Sequence, residues 1–429
     1  MDDDTIFAVS SGRPPAAIAV IRISGGGALR AAEALAGSLP PPRQAALRGL
    51  RAADGRLLDR ALVLVFPGPR SATGEDLVEL HCHGGKAVVA AVEAALGALA
   101  GLRPAAAGEF TRRALIHGRI DLAEAQGLAD LLQAETEAQR VAALDAAEGR
   151  ISALVGGWMQ RITGLAAMVE ATLDFADEDD VGEGRPDALD AVRASMTDVA
   201  AEIALVAAAP PVERIRDGIR VVIAGPPNAG KSTLFNRLCE RDAAIVSPLA
   251  GTTRDRLEAA VQRDGIAYLL IDTAGLRTNA ADTVEEEGVS RARTAAATAD
   301  VLIWLDDVPP PRADAVWIHG RADLPGRERM APGRSLASST SDPLAALRVW
   351  QAITEAAQPL LGRADDIALH QYQREACTDA GVFLTEPARD PLILAEQLRG
   401  ARMTLGKIIG RSTTEAMLDA LFGRFCIGK

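Results

Sequence analysis

The chain has 429 residues, 48% hydrophobic and 24% charged, which suits soluble globular domains and gives length for two or three of them, each with its own core. A net charge of −12 argues against a broad basic surface for nucleic acid and leaves a local patch as the alternative. The opening Asp2–Asp4 is acidic where a secretory leader is basic, and the longest apolar stretch, Ala87–Leu102, is interrupted by Glu93 and too short for a bilayer, so a cytoplasmic protein with no membrane association is expected.

Residues 5–115 alternate short apolar runs with Gly and Pro punctuation. Ala17–Ile23, Ala61–Phe66 and Leu77–His81 read as strands, and Ala28–Ala36 and Lys86–Leu99 as helices, an α+β zone. His81 and His83 share one strand face; with no third ligand near in sequence they read as structural. From Leu122 the apolar residues Leu128, Leu131, Leu132, Val141, Leu144, Ile151, Leu154 and Val155 recur at helical spacing. Long amphipathic helices are therefore expected, broken at Asp174–Glu183, an acidic run that reads as a solvated interhelical loop. From Gly218, strands Arg220–Ala224, Ala267–Ile271, Val301–Leu305 and Ala315–His319 alternate with helices, the pattern of a parallel α/β sheet. After about residue 360 helical periodicity returns.

The simplest architecture is a multidomain α/β chain: an N-terminal α+β domain (1–116), a helical domain in two parts (117–214 and 359–429), and a doubly wound nucleotide-binding domain (215–358) inserted between them. Periodicity alone equally allows the C-terminal helices as a separate domain. Four scattered cysteines, Cys82, Cys239, Cys377 and Cys426, form no C-x-x-C pair and indicate neither a zinc site nor a disulfide framework. Lysine occurs four times only, at Lys86, Lys231, Lys407 and Lys429. Arg in a place that usually holds Lys thus reads as coding bias, whereas a retained Lys points to chemistry.

One retained Lys lies in a motif. The strand Arg220–Ala224 runs into Gly225-Pro-Pro-Asn-Ala-Gly-Lys231-Ser232 and then a helical segment, Thr233–Cys239, giving strand, G-x-x-x-x-G-K-S, helix. Backbone N–H groups of such a loop wrap phosphates at a helix N-terminus. Lys231 is expected to reach the β- and γ-phosphates and the Ser232 hydroxyl to ligate Mg²⁺. Downstream, Asp272-Thr-Ala-Gly275 ends a strand; Asp272 is expected to hold Mg²⁺ through water and the Gly275 N–H to face the γ-phosphate. Between them, a threonine of Ala250-Gly-Thr-Thr-Arg-Asp255 can close over the γ-phosphate and its metal.

These elements, read together, resemble the TrmE/Era-type bacterial GTPases. Within that group the whole chain resembles the MnmE (TrmE) family of tRNA-modification GTPases, through Asp4-Thr-Ile, Ile21-Arg-Ile-Ser-Gly25, Thr73-Gly-Glu-Asp, Gly108-Glu-Phe-Thr-Arg and the tail Phe425-Cys-Ile-Gly-Lys429. The resemblance implies GTP contacts at Asn228, Ala229, Gly230, Lys231, Ser232, Thr233, Ser247, Gly251, Thr252, Thr253, Asp272, Thr273, Ala274, Gly275, Arg321 and Asp323. It implies Mg²⁺ at Ser232 and Thr253, and K⁺ at Asn228, Ser247, Leu249 and Thr252, the potassium ion offsetting charge where an arginine finger is absent. The water-orienting acid falls on Glu285, with Glu286 and Glu287 adjoining; Lys231, Asn228, Thr253 and Cys426 complete the expected catalytic set.

The same resemblance implies that the N-terminal domain binds 5-formyl- or methylene-tetrahydrofolate through Arg22, Glu79, Arg119 and Lys429. A homodimer is implied, with a flavin-containing partner resembling MnmG in a heterotetramer, acting on the wobble uridine of tRNA with carbon from the folate. No G-x-G-x-x-G follows a strand here, so the flavin is assigned to that partner. The alternative is an Era-like GTPase switch acting in ribosome assembly as an RNA-binding module; its C-terminal domain is usually basic, unlike this helical one. One departure stands out. Guanine readers usually carry N-K-x-D after a strand, and here the run is Gly320-Arg-Ala-Asp323, followed by only a blurred S-A-K match at Ala337-Ser-Ser339. The helix expected between Val301–Leu305 and Ala315–His319 also has no room, so reduced affinity for GTP or altered selectivity is expected.

Overall fold

The structure is a computed structural model and describes residues 4–174, 186–240, 258–273, 297–327, 329–330, 332–339, 341–361, 366–411, 415–423, 425, 427 and 428. The chain forms two compact units, Met1–Ala129 with Ala146–Gly157 and Gly406–Lys429, and Asp130–Asp145 with Trp158–Leu405.

The first unit is built on six strands, β1 (Thr5–Val9), β2 (Ile18–Ser24), β3 (Ala46–Arg51), β4 (Leu57–Phe66), β5 (Leu77–His83) and β6 (Leu102–Pro104), in the order β3-β4-β5-β2-β1-β6. Neighbours are antiparallel except β1 and β6. Helices α1 (Ala28–Ala36) and α2 (Lys86–Gly97) bury Ala32, Leu35, Val92 and Leu96 against Ile21, Ile23, Val78 and Leu80 on one face. The two-residue strand period then sends Arg22 and Glu79 to the opposite face, where Phe110 of α3 (Glu109–Ile116) packs with Ile6 and Ala8. The C-terminal end of the chain returns to this unit: Leu421, Phe422 and Phe425 are buried with Leu122 and Ala125.

The run from residue 122 is helical, opening with the two short helices α4 (Leu122–Gln133) and α5 (Glu137–Ala147) before α6 (Arg150–Asp174), a long helix of the kind expected. Periodicity does not reveal the capping box that starts α5, in which the Gln139 N–H donates to Thr136 Oγ1 at 3.2 Å and the Thr136 N–H to Gln139 Oε1 at 2.8 Å. α7 (Pro186–Ala207) and α8 (Val212–Arg216) lead to the sheet of the second unit.

That sheet contains β7 (Ile219–Ala224), followed by α9 (Lys231–Glu240), then β8 (Glu258–Arg263), β9 (Ile266–Asp272), β10 (Val301–Trp304), β11 (Val316–Gly320) and β12 (Leu336–Ser338), in the order β12-β11-β10-β7-β9-β8. Five strands are parallel, and β8 pairs antiparallel to β9 as an edge. The two edge strands are hidden in the sequence because Glu-Ala-Ala-Val-Gln-Arg and Leu-Ala-Ser lack the doubly apolar character of a central strand such as β7, where Val221, Val222, Ile223 and Ala224 are all buried. α10 (Ala345–Ala357) covers the sheet with Val349, Trp350 and Ile353; α11 (Gln371–Thr385), α12 (Pro391–Ile408) and α13 (Glu415–Phe422) complete the chain.

An irregular connection, residues 305–315, joins β10 to β11 where a helix is usual, as the short spacing between those strands predicts. Side chains brace it in place of helix packing. Trp304 Nε1 donates to the Val308 carbonyl and Trp317 Nε1 to the Asp306 carbonyl, both at 2.8 Å. The Asp307 carboxylate accepts from Arg327 Nη1 and Nη2 at 2.9 Å each and from Arg334 Nη2 at 2.7 Å, and these hydrogen bonds hold it well below the usual carboxylate range.

Candidate functional site

The first candidate site lies at the C-terminal end of β7. The chain turns from Ala224 through residues 225–230 into the first turn of α9, and the loop borders a cleft of about 540 Å³. Lys231 is buried, and its ammonium donates to the carbonyls of Gly225 at 2.9 Å and Pro226 at 2.8 Å, lying across the loop it belongs to. In the next position, the Ser232 hydroxyl donates to Asp272 Oδ2 at 2.6 Å. Parallel pairing of β7 with β9 puts Asp272 opposite Ile223, and the buried Thr273 hydroxyl fixes that strand end by donating to the Ile223 carbonyl at 2.9 Å. A hydroxyl and a carboxylate brought together are hard oxygen donors of the kind that Mg²⁺ prefers, so these residues fit that ion.

The same cleft is also lined by Gly320, Arg321, Asp323, Ser338 and Ser339. The fold thus joins the phosphate motif to both segments that stand in place of N-K-x-D and S-A-K. Asn228, at φ 61, offers its carbonyl to Arg321 Nη1 at 2.8 Å. Gly320 packs closely on the phosphate loop: a Cβ there would stand 3.0 Å from the Ala229 carbonyl oxygen. Ala229, Gly230 and Thr233 also line the cleft. Sequence reasoning missed Arg237, which projects from α9 to the Ser339 carbonyl at 2.7 Å and the Asp342 carbonyl at 3.1 Å. Its partners lie about a hundred positions away, and no local pattern announces such a contact. The predicted Ser247, Leu249, Gly251, Thr252, Thr253, Ala274, Gly275 and Glu285 lie outside the described residues.

The second candidate site is in the first unit. Arg22 and Glu79 are register partners on β2 and β5, and Glu79 Oε1 accepts from Arg22 Nε at 3.1 Å and Nη2 at 2.8 Å. Burial alone would raise the Glu79 pKa, but the Arg22 hydrogen bonds and charge, with help from His81 at 3.2 Å, bring it below its ordinary value. The guanidinium of Arg22 also lies over the Phe110 ring, 5.8 Å from its centre. His83, the other histidine of that strand face, binds Asp59 at 2.7 Å. Arg119 follows α3, its stem against Gly74, while the neighbouring His117 Nδ1 is 2.9 Å from the Thr73 carbonyl. The tail reaches this unit, with an antiparallel bridge between Ile427 and Ala107 and Gly428 against the Val9 backbone. Cys426 and Lys429 lie outside the described residues.

A mostly parallel sheet whose first strand feeds a G-x-x-x-x-G-K-S loop defines a P-loop nucleotide-binding domain, here carried within a multidomain α/β chain. Comparison with known proteins narrows the class. Residues 5–119 match the family described as GTP-binding protein TrmE N-terminus, and residues 122–426 match the MnmE helical domain. The chain is 53% identical over 429 residues to the tRNA modification GTPase MnmE of Erythrobacter litoralis (strain HTCC2594), covering 99% of this chain and 100% of that protein. It is 51% identical to the protein of the same name from Sphingopyxis alaskensis, over 95% of this chain and 100% of that one. The relative from Novosphingobium aromaticivorans is 49% identical over 99% of this chain and 100% of its own length. The chain belongs to the MnmE family.

Among the described residues no helix is long and apolar enough to cross a membrane.

Proposed function

We propose that the chain hydrolyses GTP at the P-loop cleft as a subunit of a tRNA wobble-uridine modification system. The observation that carries this reading is the one cleft lined by Lys231, by Ser232 (whose hydroxyl Asp272 holds) and by Asp323. The Lys231 ammonium now rests on two neutral carbonyls, and a triphosphate offers it charged oxygens, to which hydrogen bonds are roughly twice as strong. The Ser232 hydroxyl, with Thr253, holds Mg²⁺, which neutralises charge on the β- and γ-phosphates. Asp272 stands behind that hydroxyl and orients it. Asp323 meets the guanine edge, and with Gly320 beside it the base is held by fewer side-chain contacts than N-K-x-D supplies.

Family membership extends the reading. Asn228, Ser247, Leu249 and Thr252 hold K⁺ near the scissile bond, Glu285 orients the attacking water, and two copies of the chain meet. In the first unit, Arg22, Glu79, Arg119 and Lys429 hold a formyl- or methylene-tetrahydrofolate, with Cys426 beside them. The Glu79 carboxylate suits the amino and N–H donors of a pterin, and the arginines its carbonyl and carboxylate oxygens. A flavin-containing partner resembling MnmG joins the dimer, and tRNA is the final substrate.

Phosphate release with GTP and ATP, each in K⁺ and in Na⁺, tests the proposal. Faster release with GTP in K⁺ is expected; ATP bound as tightly as GTP overturns the guanine assignment, and equal rates in the two salts overturn the cation. Folate binding by the full-length chain, lost in Glu79→Ala, tests the second site.

A further inference from the structure

Charge is unevenly distributed along this chain. Residues 37–70, which carry β3, β4 and the segments flanking them, hold six arginines, Arg43, Arg48, Arg51, Arg56, Arg60 and Arg70, against two acids, Asp54 and Asp59. That stretch has a net charge of +4 in a chain whose total is −12. We infer that this margin of the first unit binds the sugar–phosphate backbone of an RNA. The choice of ligand rests on the tRNA part of the proposed function, and it gives that substrate a place on the chain.

The fold sets the six side chains along one margin. β3 is the outermost strand of its sheet, with β4 as its neighbour. Arg48 and Arg51 lie on β3, and Arg56 in the turn that leads to β4. Arg60 on β4 stands opposite Gly49, which has no side chain to cover it. At the far end of β4, the Arg43 guanidinium lies 5.6 Å from the centre of the Phe66 ring and donates to the Arg70 carbonyl. β4 has ten residues, so the row runs for about 30 Å. Arg48 is half-buried and the other five are exposed.

Their charge is not neutralised within the protein. Elsewhere, exposed arginines meet carboxylates: Arg140 meets Glu137 at 2.7 Å, Arg161 meets Glu202 at 2.7 Å, and Arg399 meets Glu396 at 2.6 Å. Among the described residues, none of the six pairs with a carboxylate. The bonds they make end on neutral carbonyls, Arg48 on Ser38 at 2.8 Å and Arg51 on Gly55 at 2.9 Å. The two acids are engaged otherwise. Asp59 accepts the His83 backbone N–H at 2.8 Å and lies 2.7 Å from His83 Nδ1, while Asp54 accepts the Arg56 backbone N–H at 3.0 Å.

Charge on an edge strand also deters pairing with another sheet, which accounts for Arg48 and Arg51. It does not account for Arg43, Arg56, Arg60 and Arg70, which lie off that strand. Coding bias explains arginine in place of lysine, but not the lack of acidic neighbours. A long row of guanidiniums fits a polyanion with repeated charges better than one small anion, and each fork can take phosphate oxygens in pairs. Exposed Leu47 and Leu62, opposite each other on the two strands, are what a protein partner would use, so partner association is measured as well.

The test uses the full-length chain in three variants: Arg51→Gln, Arg56→Gln and Arg60→Gln combined; Arg70→Gln alone; and Arg140→Gln, Arg161→Gln and Arg399→Gln combined, a control of equal charge change. Binding of two tRNA transcripts, one with a wobble uridine and one without, is followed over about 50 to 200 mM salt. GTP hydrolysis without RNA and association with the flavin-containing partner are measured beside it. The first variant should bind both transcripts about 10- to 100-fold more weakly in about 0.1 M salt. Its slope of log affinity against log salt should be shallower by about two to three, and that of Arg70→Gln by about one. Losses should be equal for the two transcripts, because phosphate contacts carry no sequence information. The control should stay within about threefold of the parent, and every variant should hydrolyse GTP at the parent rate, which shows that it is folded. An unchanged slope in the first variant, equal weakening in the control, or a loss confined to one transcript overturns the inference while the tRNA reading stands. Loss of partner association with tRNA binding unchanged makes the row a protein interface, and overturns it too. A parent chain that binds neither transcript, alone or with that partner, removes the tRNA reading and the inference together.

Discussion

Ser232 and Asp272 are 40 positions apart in the chain, yet the Ser232 hydroxyl donates to Asp272 Oδ2 at 2.6 Å. Two pieces of backbone make that meeting. The first turn of α9 supplies the hydroxyl, and the end of β9, in register with β7, supplies the carboxylate. If the pair serves Mg²⁺ as proposed, Asp272→Asn leaves the hydroxyl in place but removes the charge that orients it. The Mg²⁺ concentration needed for half-maximal GTP hydrolysis should then rise by about 10- to 100-fold. Ser232→Ala should shift it in the same direction. A Mg²⁺ titration of phosphate release checks both, and an unchanged midpoint in Asp272→Asn excludes the assignment.

A second prediction concerns stability against pH. The buried His370 ring binds Asp130 through Nε2 at 3.0 Å and Glu213 through Nδ1 at 3.2 Å. Arg216 lies 3.9 Å from the same Asp130, and the Gln371 N–H donates to Glu213 at 3.0 Å. Burial opposes the charged ring, but the two carboxylates overcome it and raise the His370 pKa above its ordinary value. A raised folded pKa gives stability that is complete below about pH 6.5 and is lost as pH climbs through the folded value. Glu213 works the other way. Burial opposes its charge, yet His370 and backbone N–H groups hold it at about 2, so its contribution is present above its ordinary pKa and lost as pH falls toward 2. The melting temperature should therefore fall on both sides of a mildly acidic to neutral plateau. His370→Gln should lower stability at pH 6 by about 2–3 kcal/mol, since it removes the cation shared by the buried Asp130 and the half-buried Glu213, and should flatten the alkaline limb. An unaltered alkaline slope in that variant would show that another group titrates there.

Thiol chemistry gives a third. Burial pushes the Cys82 thiol up to about 12, with the Asp59 charge adding to it, and burial alone pushes Cys377 to about 12. Alkylation requires the thiolate, which is scarce at those sites near neutral pH. Iodoacetamide at pH 7.5 should therefore leave Cys82 and Cys377 unmodified in the folded protein. Peptide mass spectrometry reads this directly, and denaturant should expose all four cysteines of the chain.

The tail supplies the fourth. Gly428 has φ 97, and a Cβ on it would stand 2.0 Å from the Val9 carbonyl oxygen. Gly428→Ala should thus lift the last residues off β1 while the aromatic anchors Phe422 and Phe425 stay buried. Amide hydrogen exchange at Ile427 and Gly428 should run about tenfold faster in the variant than in the parent, because local opening governs exchange. Equal exchange rates would mean that the contact does not hold this segment.

Much of the architecture was legible because its signals are local. β7 is apolar on both faces and runs straight into the phosphate loop, so strand, loop and helix are readable from one continuous segment. The same holds for β2, β4 and β5, whose alternation or apolar runs survive without knowledge of their neighbours. β8 and β12 were not legible, since an edge strand needs a partner more than a pattern. The breaks between α4, α5 and α6 were hidden for a related reason: periodic apolar spacing carries across a capping box that only the hydrogen bonds of Thr136 and Gln139 reveal.

The same division runs through the candidate sites. The sequence by itself determined the phosphate cradle, because consecutive backbone N–H groups and a helix N-terminus make it within a dozen residues. Arg22 and Glu79 were indicated by the family resemblance alone, and the register of β2 with β5 makes them a pair. Tertiary structure decided what surrounds the cradle. It brought Asp272 to Ser232, Arg321 to the Asn228 carbonyl and Arg237 to the loop after β12, contacts between segments 40, 93 and 102 positions apart. Such contacts depend on strand order and on how closely Gly320 lets two loops approach. Chain closure over those distances leaves no trace in local spacing, and so how the base-reading segments Gly320–Asp323 and Ala337–Ser339 meet the phosphate loop became readable only once the sheet was assembled.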